Sequence, residues 1–225
     1  MAAIAFGGPL DFDATYTEGI GALTPEDIAY AKELGYHIKH LGIARLDSGK
    51  VQTRVHPTLI SEKQLLANVH GVGNAVLVHG HAVGSTLYNG PGAGADATAS
   101  SVVADLIDIG RLRDHSTPAV PTLGFAEQKS DLRPVSIEDI ETEYYLRITA
   151  QDIVGVMADV SAELERHGIG IDALIQKESD GKHVPIVILT DRAKESELNE
   201  ALRAIEALDS VTEPVMRIRV ENFGE

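Results

Sequence analysis

The chain has 225 residues, a formal net charge of −15, 44% hydrophobic and 24% charged residues, and neither cysteine nor tryptophan. That length suits one large domain or two ordinary ones. The acidic balance opposes nucleic-acid binding, which needs basic surface to displace counterions, and the lack of cysteine excludes disulfides and thiolate chemistry. No stretch approaches the roughly 20 apolar residues that span a bilayer, and Met1 to Phe6 lack the basic lead and core length of a signal peptide. A cytoplasmic protein that handles small molecules, with no membrane and no nucleic-acid partner, is the expectation.

In chain order, residues 1 to 22 start oddly. An apolar, helix-like stub runs into Phe6-Gly7-Gly8-Pro9 with no cap ahead of it, as though the chain begins inside an element. Thr24-Pro25-Glu26-Asp27 then predicts a helix start, with Thr as cap, Pro at the first helical position and acids at the positive dipole end. Its end is expected at Leu34-Gly35. Strands follow around Ile38 to Arg45 and Val51 to Pro57, joined by the turn Asp47-Ser48-Gly49-Lys50, and another runs from Asn74 to His79. These strands carry more apolar side chains than one small layer covers, so association through this sheet, as a dimer, is expected.

Asn89-Gly90 alone signals a hairpin, but Pro91 cannot donate a ladder bond. The stretch is therefore read as a glycine-rich loop, Gly90-Pro91-Gly92-Ala93-Gly94, leading to a helix from about Thr98 to Arg113. Glycines let backbone approach a ligand, and a helix start offers free amides to negative charge. On the loop alone, an ordinary flexible loop capped by Asp96 or Thr98 is the favoured reading; no Walker lysine follows and no dinucleotide fingerprint surrounds it.

Residues 115 to 143 carry three prolines, Pro118, Pro121 and Pro134, and read as an extended connector. After it the grammar is β-α-β-β-α-β. Leu146 and Ile148 alternate with Tyr145, Arg147 and Thr149, as in a strand with one wet face. Met157, Val160 and Leu164 recur at helical spacing before His167-Gly168, and Ile169, Ile171, Ala173 and Ile175 alternate as a second strand. Ser179-Asp180-Gly181-Lys182 marks a hairpin leading to Pro185 to Leu189. Leu198, Leu202, Ile205 and Leu208 form the second helical stripe, and Met216, Ile218 and Val220 alternate with Arg217 and Arg219. That order makes a ferredoxin-like unit over residues 144–220, and the fold class expected is α+β. The histidines show no ligand spacing, so no metal site is expected.

The succession Thr24-Pro25-Glu26-Asp27-Ile28, Glu33-Leu34-Gly35-Tyr36, Val55-His56-Pro57, Asn74-Ala75-Val76, Gly90-Pro91-Gly92-Ala93-Gly94 and Thr98-Ala99-Ser100 resembles the homoserine dehydrogenase family over residues 1–114. Two departures stand out: His81, where an acid is common, and Ala97, where proline often precedes Thr-Ala-Ser. The resemblance implies a mixed-sheet remnant of a catalytic and dimerisation domain, with Gly92, Ala93 and Gly94 against an NAD or NADP nicotinamide. It implies that the helix after Thr98 packs on a Rossmann domain. Met1 to Phe6 resemble the helix after the family's catalytic lysine, so the acid–base residues precede this chain and no catalytic residue is assigned. The activity implied for the complete enzyme is interconversion of L-homoserine and L-aspartate 4-semialdehyde, in threonine and methionine biosynthesis. The chain alone is expected to be inactive and to bind no cofactor tightly.

Ala150-Gln151-Asp152-Ile153-Val154-Gly155-Val156-Met157 resembles the first turn of an ACT domain. The resemblance implies L-threonine as effector, between paired ACT units, at Asp152, Gly155, Val156 and Asp172. The plain alternative is that Asp152 is an N-cap and Gly155 a tight helix–strand contact. A freestanding amino-acid-binding regulatory or oligomerisation protein is the competing function.

Overall fold

The computed structural model describes residues 1–8, 12–113, 132–176 and 181–223. Helix α1 (Ala2–Phe6) is a short apolar coil closed by Gly7 at φ 75°, and β1 (Tyr16–Thr17) is a two-residue strand. Helix α2 (Pro25–Glu33) starts as its sequence dictates. The Thr24 hydroxyl accepts from the Asp27 amide while the Asp27 carboxylate accepts from the Thr24 amide, and Pro25 sits where no donor is needed. Strands β2 (Tyr36–Asp47) and β3 (Lys50–Ser61) form a hairpin in register from Tyr36–Ser61 to Asp47–Lys50. Its turn residues Ser48 and Gly49 have φ 48° and 78°, the left-handed pair that follows the natural strand twist.

A 3-10 turn over Leu65–Asn68 leads to a separate two-stranded ribbon, β4 (Gly73–Gly80) with β5 (Gly84–Pro91), and then to α3 (Ala95–Arg113). Strand β5 was not expected from the sequence. Asn89 and Gly90 pair with Ala75 and Asn74, and Pro91 ends the ladder opposite Gly73. Proline is tolerated there because, among the described residues, this ribbon has no third strand to receive its missing bond. The helix also starts three residues earlier than expected.

Most of the proline-rich connector lies outside the described residues, as do Ser179 and Asp180 of the expected hairpin. Beyond the connector come β6 (Arg133–Pro134), β7 (Glu141–Gln151), α4 (Val156–Arg166), β8 (Ile171–Gln176), β9 (His183–Thr190), β10 (Ala193–Lys194), α5 (Glu195–Glu206) and β11 (Met216–Val220). Strands β11, β7, β9 and β8 lie side by side in that order, all antiparallel, with two helices on one face. This is the expected ferredoxin-like arrangement, and the chain is α+β with a mixed sheet.

The sheet does not stop at β11. Along one side of β3 lie three short parallel strands in succession: β6 beside Lys50 and Val51, β1 beside Arg54 and Val55, and β11 beside Thr58 and Leu59. Strand β2 covers the other side of β3. One nine-stranded sheet therefore carries both segments.

Its ferredoxin-like half is buried on both faces. Leu146, Ile148, Ile186 and Ile188 pack with Val160 and Leu164 of α4 and Leu198 and Ile205 of α5. On the opposite face Tyr145, Val187, Leu189 and Ile218 pack with Ala31, Tyr30 and Leu34 of α2 and Leu59 of β3. Tyr145 was expected on a wet face; it is fully buried, because α2 covers it. A bulge between Ile171 and Ala173 also reverses the expected alternation in β8. Ile169 and Ile171 point to the helices, whereas Ala173 and Ile175 point to α2. The apolar surplus of β3 is thus covered largely within the chain. Exposed apolar side chains concentrate instead on the ribbon and on α3.

Candidate functional site

Three places carry chemistry. The first is the glycine-rich loop at the start of α3. Gly92 donates its amide to the Val72 carbonyl at 2.7 Å, and Thr98 donates to the Gly94 carbonyl at 3.0 Å as α3 begins. A Cβ at Gly92 would fall 1.4 Å from the Asn74 side-chain nitrogen, so Asn74 occupies the space a side chain would need. Gly94 has φ +127°, a conformation side chains resist. Gly92, Ala93, Gly94, Thr98, Ala99 and Val102 line an open, shallow, mostly apolar concavity. Such a surface suits a flat ring better than a phosphate, for residues 92–103 contain no Lys or Arg.

The second is the turn into α4. Gly155 caps the helix at φ 103°, ψ −20°, Asp152 donates its amide to the Lys182 carbonyl at 3.1 Å, and Val156 is buried below. These three residues lie in one turn. Asp172 does not join them within one chain. The turn follows Gln151, which pairs with His183, whereas Asp172 sits beside Leu189 and Thr190. Six or seven residues of strand at about 3.3 Å each place it roughly 20 Å away.

The third was missed by sequence reasoning: a network of buried charges where the two segments meet. Arg219 of β11 grips Glu195 of α5 with two nitrogens and donates to Glu18 at 2.9 Å. Arg217 reaches Glu195 at 2.9 Å. Tyr144 donates to Glu195 at 2.9 Å and Tyr16 to Glu18 at 2.7 Å, and the Arg219 guanidinium lies 4.8 Å above the Tyr16 ring. Burial opposes charge on Arg219, but Glu195 and Glu18 outweigh it and raise its pKa. Beside this group, buried Arg54 pairs with buried Glu221, which Arg45 also contacts at 2.7 Å. Arg54 donates through Nε to His56 Nε2 at 3.2 Å. Burial pushes His56 down to about 4, with Arg219 and Arg54 adding to the effect. At neutral pH it is the uncharged imidazole, which leaves Nδ1 to donate to the Pro57 carbonyl at 2.9 Å.

A further contact bridges the same two segments from the other face. The Asp27 carboxylate, fully buried, accepts from Arg147 Nε at 2.7 Å, from a second Arg147 nitrogen at 3.2 Å and from the Tyr145 hydroxyl at 3.1 Å. Burial opposes the Asp27 charge, but Arg147 and the Thr24 amide overcome it and hold the pKa below the usual carboxylate range. The sequence signal for these groups was weak. Arg217 and Arg219 alternate with apolar residues along a strand, and nothing local tells that Glu195 and Glu18, the latter 201 residues from Arg219, will meet them.

A ferredoxin-like unit continued edge-on into a mixed sheet, with a glycine-rich loop at a helix start, defines an α+β protein of two joined segments. Residues 1–107 match the homoserine dehydrogenase family model and residues 144–209 the ACT domain model. Homoserine dehydrogenase of Pseudomonas aeruginosa is 51% identical over 100% of this chain and 52% of its own length. That of Bacillus subtilis is 33% identical, again over 100% of this chain and 52% of its own. A crystal structure of homoserine dehydrogenase from Thiobacillus denitrificans superposes with TM-score 0.88 at 49% identity, covering 99% of this chain and 51% of that one. The chain belongs to the homoserine dehydrogenase family and corresponds to its C-terminal portion. It spans about half the length of the curated relatives it matches.

Proposed function

We propose that this chain is the assembly and effector-sensing half of an NAD(P)-dependent homoserine dehydrogenase. The reaction interconverts L-homoserine and L-aspartate 4-semialdehyde: the primary alcohol loses a hydride to the nicotinamide and a proton to a base. The observation that carries this reading is the Gly92–Gly94 loop at the head of α3, within a chain similar to these dehydrogenases along its whole length. Small residues and the absence of basic side chains suit the nicotinamide end of the cofactor, with its phosphates held elsewhere. Helix α3 supports the reading too. All its described side chains are exposed except a partly covered Ala97, including Val102, Val103, Leu106 and Ile107. That stripe is the proposed seat of a nucleotide-binding domain. The proposed division runs 1–114 for the catalytic and dimerisation segment, 115–143 for the linker and 144–220 for the ACT unit. Among the described residues no helix is long and apolar enough to cross a membrane, and a cysteine-free chain suits a reducing cytoplasm.

The ACT unit is proposed to sense L-threonine. Amides at Gly155 and Val156 would receive its carboxylate and an aspartate its ammonium group. Because Asp152 and Asp172 lie at opposite ends of the ferredoxin-like sheet, one chain offers only Asp152 to a ligand at Gly155. Strand β8 is the free edge of the sheet. Antiparallel pairing of two such edges would bring Asp172 of one chain toward the turn of the other, which is why a homodimer belongs to this proposal.

The pure chain, given L-homoserine with NAD or NADP, is expected to form no reduced cofactor, because no residue here is assigned the proton transfer or the pyrophosphate. Turnover abolished by altering a residue of this chain would overturn that. Titration calorimetry is expected to give heat with L-threonine and none with D-threonine. Silence at millimolar L-threonine would leave an oligomerisation role instead.

A further inference from the structure

Glu18 and Asp27 bracket the loop that leads from β1 into α2, and each is held by an arginine of the ACT sheet. Arg219 on β11 reaches Glu18 at 2.9 Å, and Arg147 on β7 holds Asp27 through two nitrogens. Between these anchors α2 lays Tyr30, Ala31 and Leu34 on Tyr145, Val187, Leu189 and Ile218. Asp27 has a second task, since it closes the capping box that starts α2. One carboxylate therefore fixes both where α2 begins and where α2 sits.

We propose that α2 is the coupling element between the ACT unit and the rest of the molecule, with Arg147–Asp27 as its latch and Arg219–Glu18 as its hinge anchor. Among the described residues Arg147 is the only cation paired with the buried Asp27 charge, and a buried charge left without its counter-charge is strongly unfavourable. A shift of β7 must then carry α2 along or expose Asp27 to water. Strand β7 runs directly into the turn at Asp152 to Gly155, so the proposed effector site lies at the end of the strand that holds the latch. This regulatory meaning rests on the amino-acid-sensing reading above, whereas the latch itself does not.

Hydrogen–deuterium exchange of the 225-residue chain tests it, reading amides of α2 against those of α4 and α5. Without ligand, Arg147→Met and Asp27→Asn are each expected to speed exchange across α2 by about tenfold or more, leaving α4 and α5 unchanged. Asp27→Asn keeps the side chain's shape and its cap, so it separates lost charge from misfolding. Arg147→Lys is expected to restore part of the protection. If α2 exchanges no faster in either variant, or if α4 and α5 loosen equally, the latch is refuted. With L-threonine at a concentration that gives calorimetric heat, wild-type α2 exchange should change and that of Arg147→Met should not. Heat with an unresponsive wild-type α2, or a response that survives Arg147→Met, overturns the coupling. Absence of heat counts against threonine sensing alone, and the ligand-free comparison still decides the latch.

Discussion

The ACT sheet and the ribbon–α3 region use similar residues to opposite ends. In the sheet, Ile148, Ile186, Ile188, Val187 and Ile218 are buried, because helices cover one face and α2 covers the other. In the ribbon and α3, Val76, Val78, Tyr88, Val102, Leu106 and Ile107 stand exposed. Hydrophobic residues at the right period make an element, but burial needs a partner surface. The first region finds that partner within this chain through β3 and α2. The second finds none among the described residues.

Substitutions should separate the two regions sharply. Glu221→Ala leaves the buried guanidinium of Arg54 without its carboxylate and is expected to cost about 3–5 kcal/mol in urea unfolding. Ile148→Ala, in the ACT core, should cost roughly 2–5 kcal/mol, whereas Leu106→Ala on α3 should stay within about 0.5 kcal/mol. Equal losses at Ile148 and Leu106 would mean that α3 packs on this chain after all.

The fused region should also show its own acid sensitivity. His56 is neutral when folded and titrates near 4, against about 6.5 when unfolded. The unfolded chain therefore takes up this proton first, so stability falls as pH drops from about 6.5 to 4, by up to about 3 kcal/mol. His56→Asn should flatten that window. Asp27 acts lower: its folded pKa is depressed, so its contribution is complete above the unfolded value and disappears as pH falls through the folded one. Urea midpoints at pH 7, 5 and 3 distinguish the two. A smaller loss, about 1 kcal/mol, is expected for Thr24→Ala, which removes the α2 cap, and should be visible in circular dichroism melts.

Local chemistry made much of this legible. The Thr24-Pro25-Glu26-Asp27 cap, the Asp47-Ser48-Gly49-Lys50 turn and the βαββαβ order all rest on neighbours in sequence. What escaped depends on distant partners. Alternation in β7 predicted a wet face at Tyr145, since nothing local shows that α2 returns to cover it. The bulge at Asp172 reversed the faces of β8, and a period-two pattern has no way to signal one extra residue. Parallel pairing of β3 with β1, β6 and β11 joins stretches separated by tens of residues or more. Of the loop and turn residues singled out, Gly92 to Gly94 line one concavity and Asp152 to Gly155 lie in one turn, while Asp172 sits at the other end of the sheet.

The central claim is that residues 12–61 and the ACT unit fold as one body, joined by β3–β11 pairing, the α2 face and the buried arginine–carboxylate network. Scanning calorimetry of the 225-residue chain tests this most directly. One cooperative transition is predicted, with calorimetric and van't Hoff enthalpies equal. Glu221→Ala should lower it as a whole without splitting it. Two resolved transitions in the wild-type chain, one moved by Ile148→Ala and the other not, would contradict the account.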